Sequence, residues 1–363
     1  MAQERLRAVR GWLLSLWLLV LLMVMVGGIT RLTGSGLSIV EWRPVTGALP
    51  PIGEAEWREA FEAYQRSPQF VKQNHWMSLA DFKQIFFWEY FHRLLGRAIG
   101  VITIVPWLYF VLRRAMPRAV ALRTFSVLVL GGLQGVLGWW MVKSGLVNEP
   151  RVSHYRLAAH LVLAMGVGQW ILWQALELLA PRAEGVRAPR GLRVAALGVL
   201  PLLLLQLIYG AFMAGTHAGY MAATFPDMNG HYTPGHFFIS GSLSTDFFDN
   251  PLSIHYLHRA LAFLVLAYVS CLVLASWRQR AELRATALFL LLATLGQGLL
   301  GVLTVVLHVP LGVAVAHQGG AYVLLGAAVL FVHATFSSSG APAQRSAAGR
   351  DSAALSDAVR AAS

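Results

Sequence analysis

Charged residues are scarce in this sequence. Asp, Glu, Lys and Arg together make up 13% of its 363 residues, whereas about 25% is usual for a soluble domain. Hydrophobic residues account for 56%, and they come in runs of about 20 or more, which is the length that crosses a bilayer. An ordinary soluble protein is therefore excluded, and the sequence predicts an all-α integral membrane protein embedded in a lipid bilayer.

Cysteine is nearly absent, because Cys271 is the single copy and lies within an apolar run. One thiol excludes a disulfide, a thiolate metal site and an iron–sulfur cluster formed within the chain. Histidine, with twelve copies, is the residue type that remains for binding a redox metal. The net charge of +12 arises almost wholly from arginine. In an apolar chain such an excess indicates membrane topology, and no nucleic-acid partner is predicted.

We predict eight membrane spans, each long enough to cross a hydrocarbon core of about 30 Å. They are Trp12–Ile29, Phe86–Leu112, Val120–Val142, His154–Leu179, Leu192–Ala214, Ile254–Trp277, Leu283–Val309 and Gly312–Phe336. Pro310 and Gly312 are expected to supply the break between the last two. Residues 1–29 resemble a signal peptide but lack a small-residue cleavage site, so we expect a retained anchor.

Arginine clusters follow the second, fourth and sixth spans, which predicts a cytoplasmic location for these connections and for both termini. The outer side then receives the two long segments 30–85 and 215–253. The first contains an amphipathic stretch, Glu54–Arg66, that we expect to lie on the membrane surface. Residues 337–363 have the composition of a disordered cytoplasmic tail.

The two halves of the chain repeat each other. Glu89–Arg93 (EYFHR) corresponds to His255–Arg259 (HYLHR), and Gln134–Gly138 (QGVLG) corresponds to Gln297–Gly301 (QGLLG). The repeat predicts two four-helix bundles, formed by residues 1–180 and 181–336. A pseudo-twofold axis along the membrane normal would relate the bundles.

Four histidines occupy matching positions near the outer ends of the even-numbered spans: His92, His160, His258 and His317. Two facing helices that each offer an imidazole provide the axial ligands of a b-type haem, and each half has one such pair. Small residues four positions further on leave room for a flat ring, namely Gly96, Ala164, Ala262 and Ala321. Arg93 and Arg259 are placed to neutralise haem propionates on the outer side. The alternative is that these histidines only form hydrogen bonds between helices.

One position breaks the repeat, because Glu89 stands three residues before His92 where His255 stands before His258. A carboxylate beside only one pocket indicates that the two sites differ in function. Glu89 pairing with Arg93 is the structural alternative, and His255 is an alternative ligand to His258. Gln134 and Gln297 are candidates either for a supporting role beside the histidines, together with His255, or for helix–helix contacts.

In its motifs the chain resembles the haem A synthase family, in particular its mitochondrial and proteobacterial branch. These motifs span residues 27–318 and occur in the same order as in the family. They are Gly27–Ser38 (GGITRLTGSGLS), Glu89–Arg93, Ser144–Leu146, Val152–Leu161 (VSHYRLAAHL), His255–Arg259 and Ala316–Gln318.

The resemblance implies an enzyme that oxidises a ring methyl of haem O to the formyl group of haem A, the cofactor of haem-copper oxidases. It implies a permanent haem b between His258 and His317, a substrate site with His92 and His160, and Glu89 as the catalytic carboxylate. A cysteine pair present in the first outer loop of some bacterial members is missing from this sequence.

The expected location is the cytoplasmic (inner) membrane, with the haem sites toward its outer side. A haem O synthase is the expected neighbour, while ferredoxin and a quinone are both open as the electron-transfer partner, and so is a homo-oligomer. Two other functions compete with the synthase. One is a di-haem cytochrome b that passes electrons between quinone and a partner, and the other is a transporter or haem carrier.

Overall fold

The computed structural model describes residues 2–42, 46–147, 149–178, 187–232, 235 and 237–337. Regular structure in these residues is helical, apart from an isolated bridge between Met228 and His231. The α-helices of the described residues are Ala2–Leu32 (α1), Glu54–Gln65 (α2), Leu79–Leu112 (α3), Arg118–Gly145 (α4), His154–Glu177 (α5), Arg190–Thr216 (α6), Leu243–Phe248 (α7), Pro251–Ser276 (α8), Ala281–Val306 (α9) and Leu311–Phe336 (α10).

Eight helices are long and apolar enough to cross a membrane, namely α1, α3, α4, α5, α6, α8, α9 and α10. The predicted all-α membrane fold with eight spans is thereby confirmed. The second span begins earlier than predicted, at Leu79. Ser78 and Asp81 form a reciprocal capping box there, with the Ser78 side chain bonded to the Asp81 amide and the Asp81 carboxylate bonded to the Ser78 amide. Such a box satisfies main-chain donors at a helix start, so α3 extends into a polar segment.

The break between the last two spans also differs from the prediction. Gly312 lies inside α10, and Pro310 caps its start. The chain reverses at His308 and Val309, whose φ angles are +61° and +59°. Positive φ is rare for residues other than glycine and strained for a β-branched one. Pro310 therefore marks the break between the two helices correctly, whereas Gly312 belongs to the second helix and takes no part in the reversal.

The helices pack in the same way in both halves. In the first half α1 packs against α3 and α5, and α4 packs against the same two helices. In the second half α6 packs against α8 and α10, and α9 packs against the same two helices. Between the halves α5 contacts α6, α10 contacts α1, and α5 contacts α10. This exchange of partners is the pattern that a pseudo-twofold axis beside α5 and α10 produces, as the repeat predicted.

Close contact between α5 and α10 depends on a glycine. A Cβ on Gly168 would overlap the ring of Tyr322, which is fully buried. The Tyr322 hydroxyl donates to the Trp17 carbonyl at 3.0 Å, and Nε2 of Gln169 donates to the Tyr322 carbonyl at 3.1 Å. Since lipid tails are as apolar as leucine, small residues and interhelical hydrogen bonds of this kind hold membrane helices together.

The segment between α1 and α3 folds onto the start of α3. Helix α2 confirms the helix expected at Glu54–Arg66, but its aromatic side packs against the protein. The Tyr64 ring lies 5.2 Å from that of Phe82, and the Trp57 ring lies 5.0 Å from that of Phe86. The apolar face that we expected on the membrane surface therefore covers α3. The predicted tail beyond Ser337 and the boundary between residues 180 and 181 lie outside the described residues.

Candidate functional site

The four candidate histidines meet in two pairs. His92 of α3 lies within electrostatic range of His160 of α5, and His258 of α8 lies within range of His317 of α10. Each pair therefore belongs to one half and joins two different helices.

Each imidazole lies against a glycine of the preceding span. A Cβ added to that glycine would stand only 3.0 to 3.2 Å from the ring, closer than ordinary van der Waals contact. The glycine–histidine pairs are Gly27 with His92, Gly138 with His160, Gly210 with His258, and Gly301 with His317. Glycine at these four places lets each ring approach closely, because a side chain there would require the imidazole to move by a few tenths of an ångström.

Three of the imidazoles also have a glutamine from the same preceding span. Nε2 of Gln134 donates to the main-chain carbonyl of His160 at 3.0 Å and lies 3.1 Å from the Nδ1 atom of its ring. Nε2 of Gln206 holds His258 in the same way, at 3.2 Å from the carbonyl and 3.2 Å from Nδ1. These bonds tie the helical turn that carries each histidine to the neighbouring helix.

The third glutamine, Gln297, donates to the carbonyl of His317 at 2.9 Å. His92 has Met23 at the equivalent place in α1, one turn before Gly27.

A cavity of about 440 Å³ lies in the second half, between the two histidines of that half. This volume falls in the usual range for cofactor sites. The residues around it include both imidazoles together with Gln206, Gln297, Gly210, Gly301, Ala262 and Ala321. A mainly apolar slot with one imidazole on each of two facing helices suits a flat tetrapyrrole with two axial ligands. The residues present therefore fit a b-type haem.

Arg31 and His217 are further polar residues that border the same cavity. Arg31 belongs to α1 of the first half, and it donates to the Ala214 carbonyl of α6. His217 follows α6 with a φ of +58°. Partial burial, together with the charges of Arg31 and Arg151, lowers the pKa of His217 to about 4, so this imidazole is neutral at pH 7. Arg31 thus brings a positive charge from the first half to the cavity of the second half.

Glu89 is buried beside His92, with 3% of its surface exposed. Its Oε1 accepts a hydrogen bond from Nη2 of Arg93 at 2.7 Å. Its Oε2 accepts from the Ser38 hydroxyl at 2.7 Å and from the Ile39 amide at 2.8 Å. The carboxylate therefore joins α3 to the segment that follows α1, and it balances the charge of Arg93.

The equivalent position in the second half has the same architecture without the negative charge. His255 is fully buried, and its Nε2 accepts a hydrogen bond from Nε of Arg259 at 3.0 Å. The Arg259 guanidinium also donates to the carbonyls of Ala222, Thr224 and Asp227. In both halves an arginine one turn after the acceptor thus holds the segment that precedes its helix, but among the described residues only the first half pairs this arginine with a carboxylate.

Comparison with known proteins identifies the family of this chain. The family model described as COX15-CtaA, cytochrome oxidase assembly protein, matches residues 10–329. The chain belongs to this family. It is 46% identical to a protein of Parvibaculum lavamentivorans named "Heme A synthase", over 90% of this chain and 94% of that one. Relatives with the same name in Nitrosospira multiformis and Bradyrhizobium diazoefficiens are each 44% identical, over 89% and 90% of this chain and 92% and 91% of theirs.

Arg93 and Arg259, the two arginines that we expected near haem propionates, have different surroundings. Arg259 borders the cavity of the second half. Arg93 donates to the carbonyls of Ile39 and Glu41 as well as to Glu89. Of the four small residues predicted to make room for a ring, Ala262 and Ala321 border the cavity, Gly96 faces the methyl of Met23, and Ala164 is half-buried in α5.

The roles of Gln206 and of the four glycines that face the histidines were not predicted from the sequence. A signal for them exists, because Gln-x-x-x-Gly occurs in three odd-numbered spans, at Gln134–Gly138, Gln206–Gly210 and Gln297–Gly301. The first and third motifs are recognisable in the sequence because they match each other in the repeat. The second is harder to recognise because Leu207 follows Gln206, whereas glycine follows Gln134 and Gln297. Arg31 and His217 had no such pattern.

Proposed function

We propose that this chain is a haem A synthase, which oxidises one ring methyl of haem O to the formyl group of haem A in successive hydroxylation-type steps. Membership of the cytochrome oxidase assembly family and the name of relatives that match about nine-tenths of the chain support this activity. The main structural support for this activity is that the chain has two pairs of imidazoles with similar geometry, of which only one has a buried carboxylate, Glu89, beside it. One pair serves a resident group and the other serves the substrate.

The second half is the place for a resident haem b. His258 and His317 would be its axial ligands, and Arg31 and Arg259 provide positive charge at the outer end of the cavity. Haem b supplies one-electron redox chemistry when it is bound. The tethers from Gln206 and Gln297 hold both ligand-bearing turns in place, which suits a group that stays in the protein.

The first half is the place for haem O, with His92 and His160 as ligands to the substrate. Glu89 sits one helical turn before His92 and is fixed by three hydrogen bonds. A fixed carboxylate stabilises positive charge that develops at a nearby carbon during oxidation, because its orientation costs nothing at the moment of reaction. Its bonds to Ser38 and Ile39 also close the outer segment over α3, which excludes water from this end of the half.

The protein is a multi-pass membrane protein with eight apolar helices, and we assign it to the cytoplasmic membrane. Arg113, Arg114 and Arg118 cluster at one end of the bundle, as do Arg278, Arg280 and Arg284. The excess of arginine in these short connections supports cytoplasmic termini and haem sites toward the outer face. Haem O is apolar and remains in the bilayer, so a haem O synthase is the partner that suits its delivery. Electrons pass to or from either a ferredoxin or a quinone.

Analysis of the bound haems tests this function. The full-length protein is produced together with a source of haem O, purified in detergent, and its haems are extracted and identified by chromatography with mass analysis. We expect about one haem B per chain together with haem A or its hydroxylated precursor. His317→Ala should remove haem B and its low-spin spectrum, whereas His160→Ala should remove the haem O derivatives and leave haem B.

Other results would contradict the proposal in distinct ways. Two haem B per chain, with no modified haem when haem O is supplied, would identify a di-haem cytochrome b. Absence of every haem would contradict the role of all four histidines. Loss of haem B in His160→Ala and its retention in His317→Ala would reverse the assignment of the halves.

A further inference from the structure

The four histidines are not held equally. For three of them a glutamine one turn before the facing glycine donates to the histidine's own main-chain carbonyl, at 2.9 to 3.2 Å. The three glutamine–histidine pairs are Gln134 with His160, Gln206 with His258, and Gln297 with His317. They connect α4 to α5, α6 to α8, and α9 to α10.

His92 lacks this tether. Met23 occupies the glutamine position in α1, and a thioether has no N–H group to donate. Among the hydrogen bonds of the described residues, none from a side chain reaches His92. The methyl group of Met23 instead lies beside Gly96, and a Cβ added to Gly96 would stand 3.4 Å from that methyl group. The contact of Met23 with this part of α3 is therefore apolar, and the hydrogen bond that α1 does donate here goes from the Thr30 hydroxyl to the Trp88 carbonyl, one turn before His92, at 3.3 Å.

This difference affects how firmly each ligand is held. Between membrane helices the apolar side chains gain little over contact with lipid, so directional hydrogen bonds fix the position of one turn against its neighbour. A turn with a tethered carbonyl keeps its imidazole in one place. At His92 itself α1 offers a flexible methionine in place of that donor, so this imidazole can withdraw more readily than the other three.

We propose that His92 is the exchangeable ligand, through which the first-half haem enters as substrate and leaves as product. Gln134, Gln206 and Gln297 are positioning residues that keep the other three ligands in place. The proposal rests on the proposed function, because an enzyme whose substrate is itself a haem has to break both iron–histidine bonds in every catalytic cycle, the less firmly held one first, whereas a resident haem keeps both. The untethered histidine lies in the half where that release is needed.

Haem transfer to a scavenger tests the proposal. The full-length protein, loaded with haem A and haem B, is mixed with excess apomyoglobin, and the haems left in the protein are identified over time. Met23→Gln restores the missing donor, and we expect release of haem A to slow by about tenfold while haem B is unaffected. Met23→Leu, which keeps the size and adds no donor, is the matched control and should behave as the unaltered protein.

The reverse substitutions provide a second test that does not depend on the behaviour of Met23→Gln. Gln206→Met removes the tether of His258, so haem B should transfer at least tenfold faster. Gln134→Met should similarly speed the loss of haem A. The low-spin haem B spectrum reports whether Met23→Gln and Gln134→Met are folded.

Two results would overturn the proposal. One is unchanged haem A release in a folded Met23→Gln protein, and the other is unchanged haem B release in Gln206→Met. Failure of the proposed function gives a different result, because the unaltered protein would then contain no haem A, while the effect of Gln206→Met on haem B could still be measured.

Discussion

At the scale of single residues, Glu89 combines a structural and an electrostatic role. It accepts three hydrogen bonds and forms a buried ion pair with Arg93, whose side chain is 13% exposed. Removing one partner of a buried ion pair is costly, since the remaining charge has no counter-charge in a poorly hydrated site. Glu54 and Arg58 have the same spacing in α2 and the same separation of 2.7 Å, but they are exposed.

This contrast leads to a prediction. Glu89→Gln replaces a carboxylate oxygen by an amide NH₂ that cannot accept its hydrogen bonds, and it leaves Arg93 without its counter-charge. We expect haem A formation to fall at least tenfold while the haem b spectrum is retained, measured by haem extraction from the same sample. Glu54→Gln should change neither quantity, because exposed ion pairs contribute about 0–1 kcal/mol. An undiminished rate of haem A formation in Glu89→Gln would remove this residue from the mechanism.

Single residues also show where sequence reasoning succeeds and where it ends. The four histidines could be found because their spacing repeats and because ionisable groups in membrane spans are costly to bury. The pairing of Glu89 with Arg93 could also be anticipated, but its hydrogen bonds from Ser38 and Ile39 could not, since these two residues lie in a segment with no periodic pattern. Both readings of Glu89, as a partner of Arg93 and as a functional carboxylate, are compatible with its observed contacts.

At the scale of helices, hydrophobic length predicts that a span exists but does not predict where it ends. Apolar runs located all eight spans, because about 20 apolar residues suit only a bilayer. The start of α3 was placed too late because the helix continues into the polar residues Asp81 and Lys83, where a capping box rather than lipid stabilises it. The contacts between helices depend on single glycines, and a glycine in an apolar run looks the same whether it faces lipid or an imidazole.

Helix α9 provides a test of this last point, since it contains glycines of both kinds. A Cβ on Gly301 would stand 3.0 Å from the His317 ring, whereas a Cβ on Gly296 meets nothing within 4 Å. Gly301→Ala should displace the imidazole and lower the haem B content of the purified protein at least twofold. Gly296→Ala should leave haem B unchanged and stabilise the helix slightly, by about 0.5–1 kcal/mol. Equal haem B content in the two variants would contradict the close approach.

At the scale of the whole molecule, the two halves share one packing scheme and differ in chemistry. The repeat of motifs was sufficient to predict the scheme, because equal spacing of equal residues produces equal helix contacts. The contacts between the halves could not be predicted in this way, since they pair residues that have no counterpart in the repeat. Gln318 of α10 donates to the Val24 carbonyl of α1 at 2.7 Å, next to Met23, and Arg31 reaches the second half from the end of the same helix.

The halves also meet at Gly168, which allows the last prediction. Its missing side chain makes room for Tyr322, and two hydrogen bonds at 3.0 and 3.1 Å hold that tyrosine in place. Gly168→Ala forces α5 and α10 apart or displaces the ring, and overpacking of this kind costs about 1–3 kcal/mol. Gly166→Ala is the matched control, because a Cβ there meets nothing within 4 Å. The thermal midpoint of the purified protein, followed by the haem b spectrum, should fall by several degrees in Gly168→Ala and stay the same in Gly166→Ala. Equal midpoints would mean that this contact does not hold the halves together.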